Sequence, residues 1–168
     1  MGYAGSGKTF LATKIANRYS IPHLQLDRLF LRHGGGSVAP EDTKTKEQIR
    51  ALMRAEISQF LDKNEHWVSD GTYTHVQSEI AEQADHVLYL DIPLWRRQLN
   101  HLKRVVLRID RHPEVSFWQD LYFTYDMIRR TRMGHVYFQQ LQTDHSDKLI
   151  ILRSRRAVQK YLDHLSWL

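Results

Sequence analysis

The chain has 168 residues, a net charge of +5, no cysteine, 42% hydrophobic and 26% charged residues. This is the composition of one soluble globular domain; it excludes disordered, collagen-like and coiled-coil chains, and the absence of thiols excludes disulfide frameworks, zinc ribbons, thiol nucleophiles and iron–sulfur clusters. The longest nearly apolar stretch, around Val87 to Leu94, falls far short of the roughly 20 residues of a membrane-spanning helix, and no signal-peptide core precedes it, so a cytoplasmic protein without membrane contact and with an anionic partner is expected.

In chain order, the spacing predicts a helix from about Lys8 to Tyr19, with Leu11, Ile15 and Tyr19 on one face and Ala12 and Ala16 allowing close approach to a sheet; Pro22 stops it. His23 to Leu26 reads as a short strand and Arg32 to Pro40, containing Gly34, Gly35 and Gly36, as a loop. A helix from Thr43 to Lys63 follows, its core face drawn from Ile49, Leu52, Met53, Ile57, Phe60 and Leu61, with Thr45 and Gln48 fitting a capping box. His66 to Ser69 and His86 to Leu90 read as buried strands, the latter closed by Pro93; Lys148 to Leu152 is a further strand and Arg155 to Leu165 a final helix. Two long helices, Leu94 to Arg111 and Ser116 to Leu141, are separated by His112-Pro113 and form a helical insertion at about 94–141. Alternating strands and helices of this kind make a parallel-sheet α/β domain over residues 1–168.

Gly2-Tyr3-Ala4-Gly5-Ser6-Gly7-Lys8-Thr9 matches G-x-x-x-x-G-K-[ST] in full and runs directly into an amphipathic helix. Gly2, Gly5 and Gly7 permit a loop whose successive N–H groups, with that of Ser6, surround a phosphate, and the helix N-terminus adds positive potential. Lys8 is expected to neutralise β/γ-phosphate charge and the Thr9 hydroxyl to ligate Mg²⁺. Such a loop ordinarily leaves a buried parallel strand, yet only Met1 precedes Gly2. A first strand is therefore expected to be missing from the middle of the sheet, through truncation or a misassigned start, in which case added apolar residues before Met1 restore cooperative folding; a stand-in partner strand is the alternative.

Phosphoryl transfer also needs carboxylates to order Mg²⁺ and an attacking hydroxyl. Asp27 and Asp70 each close a predicted strand, at the sheet edge that faces ligands in open α/β folds, and both are candidates; helix capping or turn formation is the alternative for each. Asp91, followed by Ile92-Pro93, reads as a structural turn. Arg97, His101, Arg104, Arg108 and Arg111 recur every three or four residues, opposite an apolar line of Leu99, Leu102, Val106 and Ile109, so one face packs and the other is basic. Arginine forks suit a transferring phosphoryl group, making Arg104 and Arg108 candidate catalytic residues and Arg111 a candidate nucleotide ligand, against the alternative of a solvated face. Arg129, Arg130 and Arg132 form a second such cluster, and Arg153-Ser154 after the last strand is placed to contact a nucleobase or phosphates. The aromatic run Phe117-Trp118, Tyr122-Phe123 and Tyr125 has the spacing of core packing more than of base stacking, and the ten histidines show no close metal-ligand spacing.

The phosphate loop, Leu26-Asp27-Arg28-Leu29-Phe30, Trp67-Val68-Ser69-Asp70-Gly71-Thr72-Tyr73, the stretch Ala84 to Pro93 and Leu149-Ile150-Ile151-Leu152-Arg153-Ser154 together resemble the bacterial DNA topology modulation family of P-loop proteins, itself similar to adenylate and shikimate kinases. The resemblance implies a three-layer, nucleoside-monophosphate-kinase-like fold with a five-stranded parallel sheet and a helical lid, binding ATP and Mg²⁺. Asp70-Gly71 lies where adenylate kinases carry an Asp-Gly after the third strand, and Asp27 where shikimate-type kinases place a substrate-contacting aspartate. The expected function is phosphoryl transfer from ATP to a nucleotide or other small acceptor, with Asp70 also serving the metal. A nucleotide-sensing, weakly DNA-binding regulator is the alternative; the family name implies an effect on DNA topology that no motif here explains.

Overall fold

The computed structural model describes residues 1–37, 42–107 and 138–165. The elements are α1 (Lys8–Tyr19), β1 (His23–Gln25), α2 (Leu26–Arg32), a 3₁₀ turn (Gly35–Ser37), α3 (Thr43–Lys63), β2 (Val68–Asp70), α4 (Thr74–Gln83), β3 (Val87–Leu90), α5 (Leu94–Leu107), β4 (Leu149–Leu152) and α6 (Arg155–Asp163), with a helical stretch over 138–144. They fall into two compact units, one of Met1–Lys8 with Ala81–Leu165 and one of Thr9–Ile80. The described strands pair as two parallel two-stranded sheets rather than as one larger sheet.

In the unit Thr9–Ile80, β1 and β2 pair with His23 opposite Val68, Leu24 opposite Ser69 and Gln25 opposite Asp70. The core is built by residues four apart on α3, Ile49, Met53, Ile57 and Leu61, with Leu24, Leu26, Leu29, Val76 and Ile80. Leu52 lies off that line and is 52% exposed, contrary to expectation. The cap of α3 is Asp42, which accepts from the Thr45 backbone N–H at 2.9 Å, in place of the predicted Thr45–Gln48 box. Two helices depart from the sequence reading. The predicted strand through Leu26 ends at Gln25, because Leu26 and Leu29, three apart, bury one face of the short α2; α4 likewise buries Val76 and Ile80, four apart.

Gly71 follows β2 at φ +117°, and a Cβ there would stand 2.6 Å from Leu26 Cβ. Gly71→Ala is expected to destabilise the fold by about 2 kcal/mol, combining a disfavoured backbone conformation with overpacking, as read from denaturant midpoints.

In the other unit, β3 and β4 pair in parallel from Val87 opposite Leu149 to Leu90 opposite Leu152. The other edge of β3 is met by the chain's first residues: Gly2 forms a parallel bridge with Leu90, Leu90 N–H donates to Met1 C=O at 3.0 Å, and the Met1 amino group donates to Leu88 C=O. Tyr89, Leu90, Ile92, Val105, Leu141, Leu152 and Leu162 are buried in it. Among the described residues no helix is long and apolar enough to cross a membrane.

Candidate functional site

Gly2 to Lys8 of the predicted phosphate loop belong to the unit containing β3 and β4, and Thr9 begins the other unit. Gly2, Gly5 and Gly7 all adopt positive φ, at +129°, +72° and +97°, the backbone pattern that curls a loop. Gly5 is constrained from outside as well, since a Cβ would stand 2.5 Å from the Arg97 carbonyl oxygen of α5. Lys8 Nζ donates to the Tyr3 carbonyl at 2.9 Å, and the Ser6 N–H reaches the same oxygen at 3.3 Å. Ser6 Oγ is buried without a hydrogen-bond partner among the described residues. A loop whose lysine and amide turn onto one of its own carbonyls, with a buried hydroxyl unsatisfied, fits an oxyanion that would take up these donors. Thr9, in the first turn of α1, is exposed.

Arg97 is not part of an exposed basic stripe. It is 3% exposed, donates from Nε to the Ile92 carbonyl at 3.0 Å and holds its guanidinium 4.3 Å from the Tyr3 ring centre. Burial draws its pKa below the ordinary arginine value, partly offset by Tyr3, Tyr89 and Asp91. Tyr3 also meets Tyr89 edge-on, with ring centres 6.1 Å apart. The inward face of α5 thus carries Arg97 and Val105, while Leu99, Leu102 and Val106, expected to pack, are exposed together with Trp95. Arg104 lies within α5; Arg108, Arg111, Arg129, Arg130, Arg132 and the aromatic run 117–125 lie outside the described residues. Arg153, at the end of β4, has its Nε 3.5 Å from Asp91 Oδ2 with both side chains largely exposed, a pairing worth little.

The candidate carboxylates belong to the unit Thr9–Ile80. Asp70 ends β2 as expected and is 6% exposed. Its Oδ1 is 3.1 Å from His23 Nε2, and His23 Nδ1 is 3.3 Å from Gln25 Nε2. An amide nitrogen only donates, so His23 accepts at Nδ1 and donates its Nε2–H to the carboxylate. Sequence reasoning overlooked His23 and Gln25, although strand alternation places both on one face of β1, beside Asp70 in the register. After Asp70 the turn is held by buried Gln77, whose Nε2 donates to the Gly71 carbonyl at 3.3 Å.

Asp27 does not close β1; it lies in the first turn of α2, exposed, and bonds the Tyr73 hydroxyl. Burial, reinforced by the Asp27 charge and this hydrogen bond, pushes the Tyr73 phenol up, so it remains a proton donor throughout the physiological range. Tyr73 packs between Phe30 at 5.3 Å and the edge of His75 at 5.9 Å. Arg54 donates to the His75 carbonyl at 3.1 Å, and His75 Nε2 is buried without a partner among the described residues. Burial, then the charges of Arg50 and Arg54, hold the His75 pKa below 6.5. A histidine that binds its proton less tightly when folded destabilises the fold in acid. Stability is therefore expected to fall as pH drops below 6.5, and His75→Gln to flatten that decline in urea melts at successive pH values.

No family model matches this chain, and no curated protein matches its sequence. Among solved structures it is similar to the crystal structure of TT1252 from Thermus thermophilus, with a TM-score of 0.56 and 16% sequence identity over 98% of this chain and 95% of that one. At this identity the likeness bears on the fold alone, a mixed α/β arrangement of helices and short parallel strands.

Proposed function

We propose that this protein is an ATP-dependent phosphotransferase of the nucleoside-monophosphate-kinase-like type, acting on a nucleotide or another small hydroxyl- or phosphate-bearing acceptor, as its resemblance to the DNA topology modulation family implies. The observation that carries this reading is the complete phosphate loop, with its three glycines at positive φ and Lys8 Nζ and the Ser6 amide directed onto the Tyr3 carbonyl.

In this reading the loop amides and Lys8 exchange that carbonyl for nucleotide oxygens and bear part of the negative charge of the transferring group. Thr9 and Asp70 are the oxygen ligands that would hold Mg²⁺, whose contribution when bound is to neutralise the β- and γ-phosphate oxygens. His23 Nε2, 3.1 Å from Asp70 Oδ1, keeps that carboxylate oriented. Asp27 accepts a hydrogen bond from Tyr73 and supplies a carboxylate for an acceptor hydroxyl, while Arg50 and Arg54, cations acting on the same His75, favour an acceptor that carries negative charge.

The test is transfer of labelled γ-phosphate from MgATP across nucleoside monophosphates, shikimate-like alcohols and sugars, with water as the default acceptor. Transfer to one anionic acceptor is the expected result. Neither transfer nor hydrolysis by cooperatively melting protein would overturn the reading, and salt-sensitive binding to duplex DNA would then point to a DNA-binding regulator.

A further inference from the structure

The phosphate loop is held by a side chain that its own motif does not contain. Asn100, in the second turn of α5, donates from Nδ2 to the Gly5 carbonyl at 3.0 Å, and Arg155, the first residue of α6, donates from a terminal guanidinium nitrogen to Asn100 Oδ1 at 3.2 Å. The two contacts are mutually consistent: with Oδ1 turned to the cation, only the amide NH₂ can face Gly5.

In a trans peptide the carbonyl and the following N–H point in opposite directions, so fixing the Gly5 carbonyl fixes the Ser6 N–H. That N–H points at the Tyr3 carbonyl, 3.3 Å away, the oxygen also reached by Lys8 Nζ. The Gly5 backbone has no room to turn toward α5, given the 2.5 Å that a Cβ would leave to the Arg97 carbonyl. We propose that Asn100 is a positioning residue of the phosphate loop, holding the Gly5–Ser6 peptide with its N–H toward the bound phosphate, and that Arg155 sets the orientation of the Asn100 amide. This assignment rests on the nucleotide reading of the loop.

The test is calorimetric titration with MgADP, alongside thermal melts. Asn100→Leu and Asn100→Asp, which both remove the donor to Gly5, are expected to weaken binding about five- to tenfold, the value of one hydrogen bond to a constrained group. Arg155→Met frees the amide to rotate and is expected to weaken binding by a smaller factor, about threefold, whereas Arg155→Lys retains a donor and restores it. If Arg155 acts through Asn100, the double variant Asn100→Leu/Arg155→Met binds no more weakly than Asn100→Leu alone. A merely structural role would lower the melting temperature without the lysine rescue or the non-additivity. Asn100→Leu binding MgADP as tightly as wild type, or the two losses adding in full, would overturn the assignment while leaving the nucleotide reading intact. Wild-type protein that binds no MgADP would overturn both. Should Asn100→Leu fold poorly, Arg155→Met and Arg155→Lys, which alter an exposed side chain, decide the matter.

Discussion

Lys8→Ala is expected to lower phosphoryl transfer from MgATP by at least about a hundredfold while leaving the stability of the fold within about 1 kcal/mol of wild type. Its ammonium donates to the Tyr3 carbonyl at 2.9 Å in a partly buried setting, and the net worth of such a bond is modest because water replaces it. In the proposed reaction the same ammonium faces charge spread over phosphoryl oxygens, and each tenfold in rate corresponds to about 1.4 kcal/mol of lost transition-state stabilisation. A single preorganised donor in such a site is worth about two such factors. Single-turnover transfer with the acceptor found in the panel, paired with a urea melt, separates the effects. Lys8→Ala retaining more than a tenth of wild-type transfer would remove the loop from the chemistry.

The strongly periodic elements were legible in the sequence. α1 and α3 have the predicted bounds, and β1 to β4 lie within or close to their predicted stretches, because Leu11 and Ile15 or Met53 and Ile57 repeat at helical spacing and Val87 to Leu90 is an unbroken apolar run. α2 and α4 were not legible: each is short and directly follows a strand or its turn, and Leu26 suits a strand end as well as a helix start until its packing against Leu29 and Gly71 decides. On α5 the periodicity revealed two faces, one with cations and one apolar, but not which of them the fold covers. The close approach of Gly5 to the α5 backbone and the ring of Tyr3 turn Arg97 inward, while Leu99, Leu102 and Val106 of the apolar line are exposed. The site shows the same division. Contiguous residues revealed the glycine-rich motif, whose three glycines do take positive φ, and Asp70 ends β2 as expected, whereas the pairing of His23 with Asp70 spans 47 positions and needs the parallel register of β1 and β2 to bring it out.

That pairing yields the second large effect, since Asp70 has a structural and a proposed chemical role that two substitutions tell apart. Asp70→Ala removes the acceptor of the His23 Nε2–H in a buried setting, which is expected to cost about 1–3 kcal/mol and about 2–4 °C of melting temperature per kcal/mol in a chain of this size. Asp70→Asn retains an oxygen for that N–H, so its stability is expected to stay within about 1 kcal/mol of wild type. It lacks the negative charge that would attract Mg²⁺, and a neutral amide oxygen is a poorer ligand for a hard cation. Asp70→Asn is therefore expected to melt near wild type yet lose at least about a hundredfold in transfer, with part of the loss recovered at high Mg²⁺ concentration. Wild-type transfer by Asp70→Asn would show that the carboxylate serves only to hold His23. Loss of transfer at unchanged stability, relieved by Mg²⁺, would assign its charge to the metal, with His23 and Gln25 as the supports that orient it.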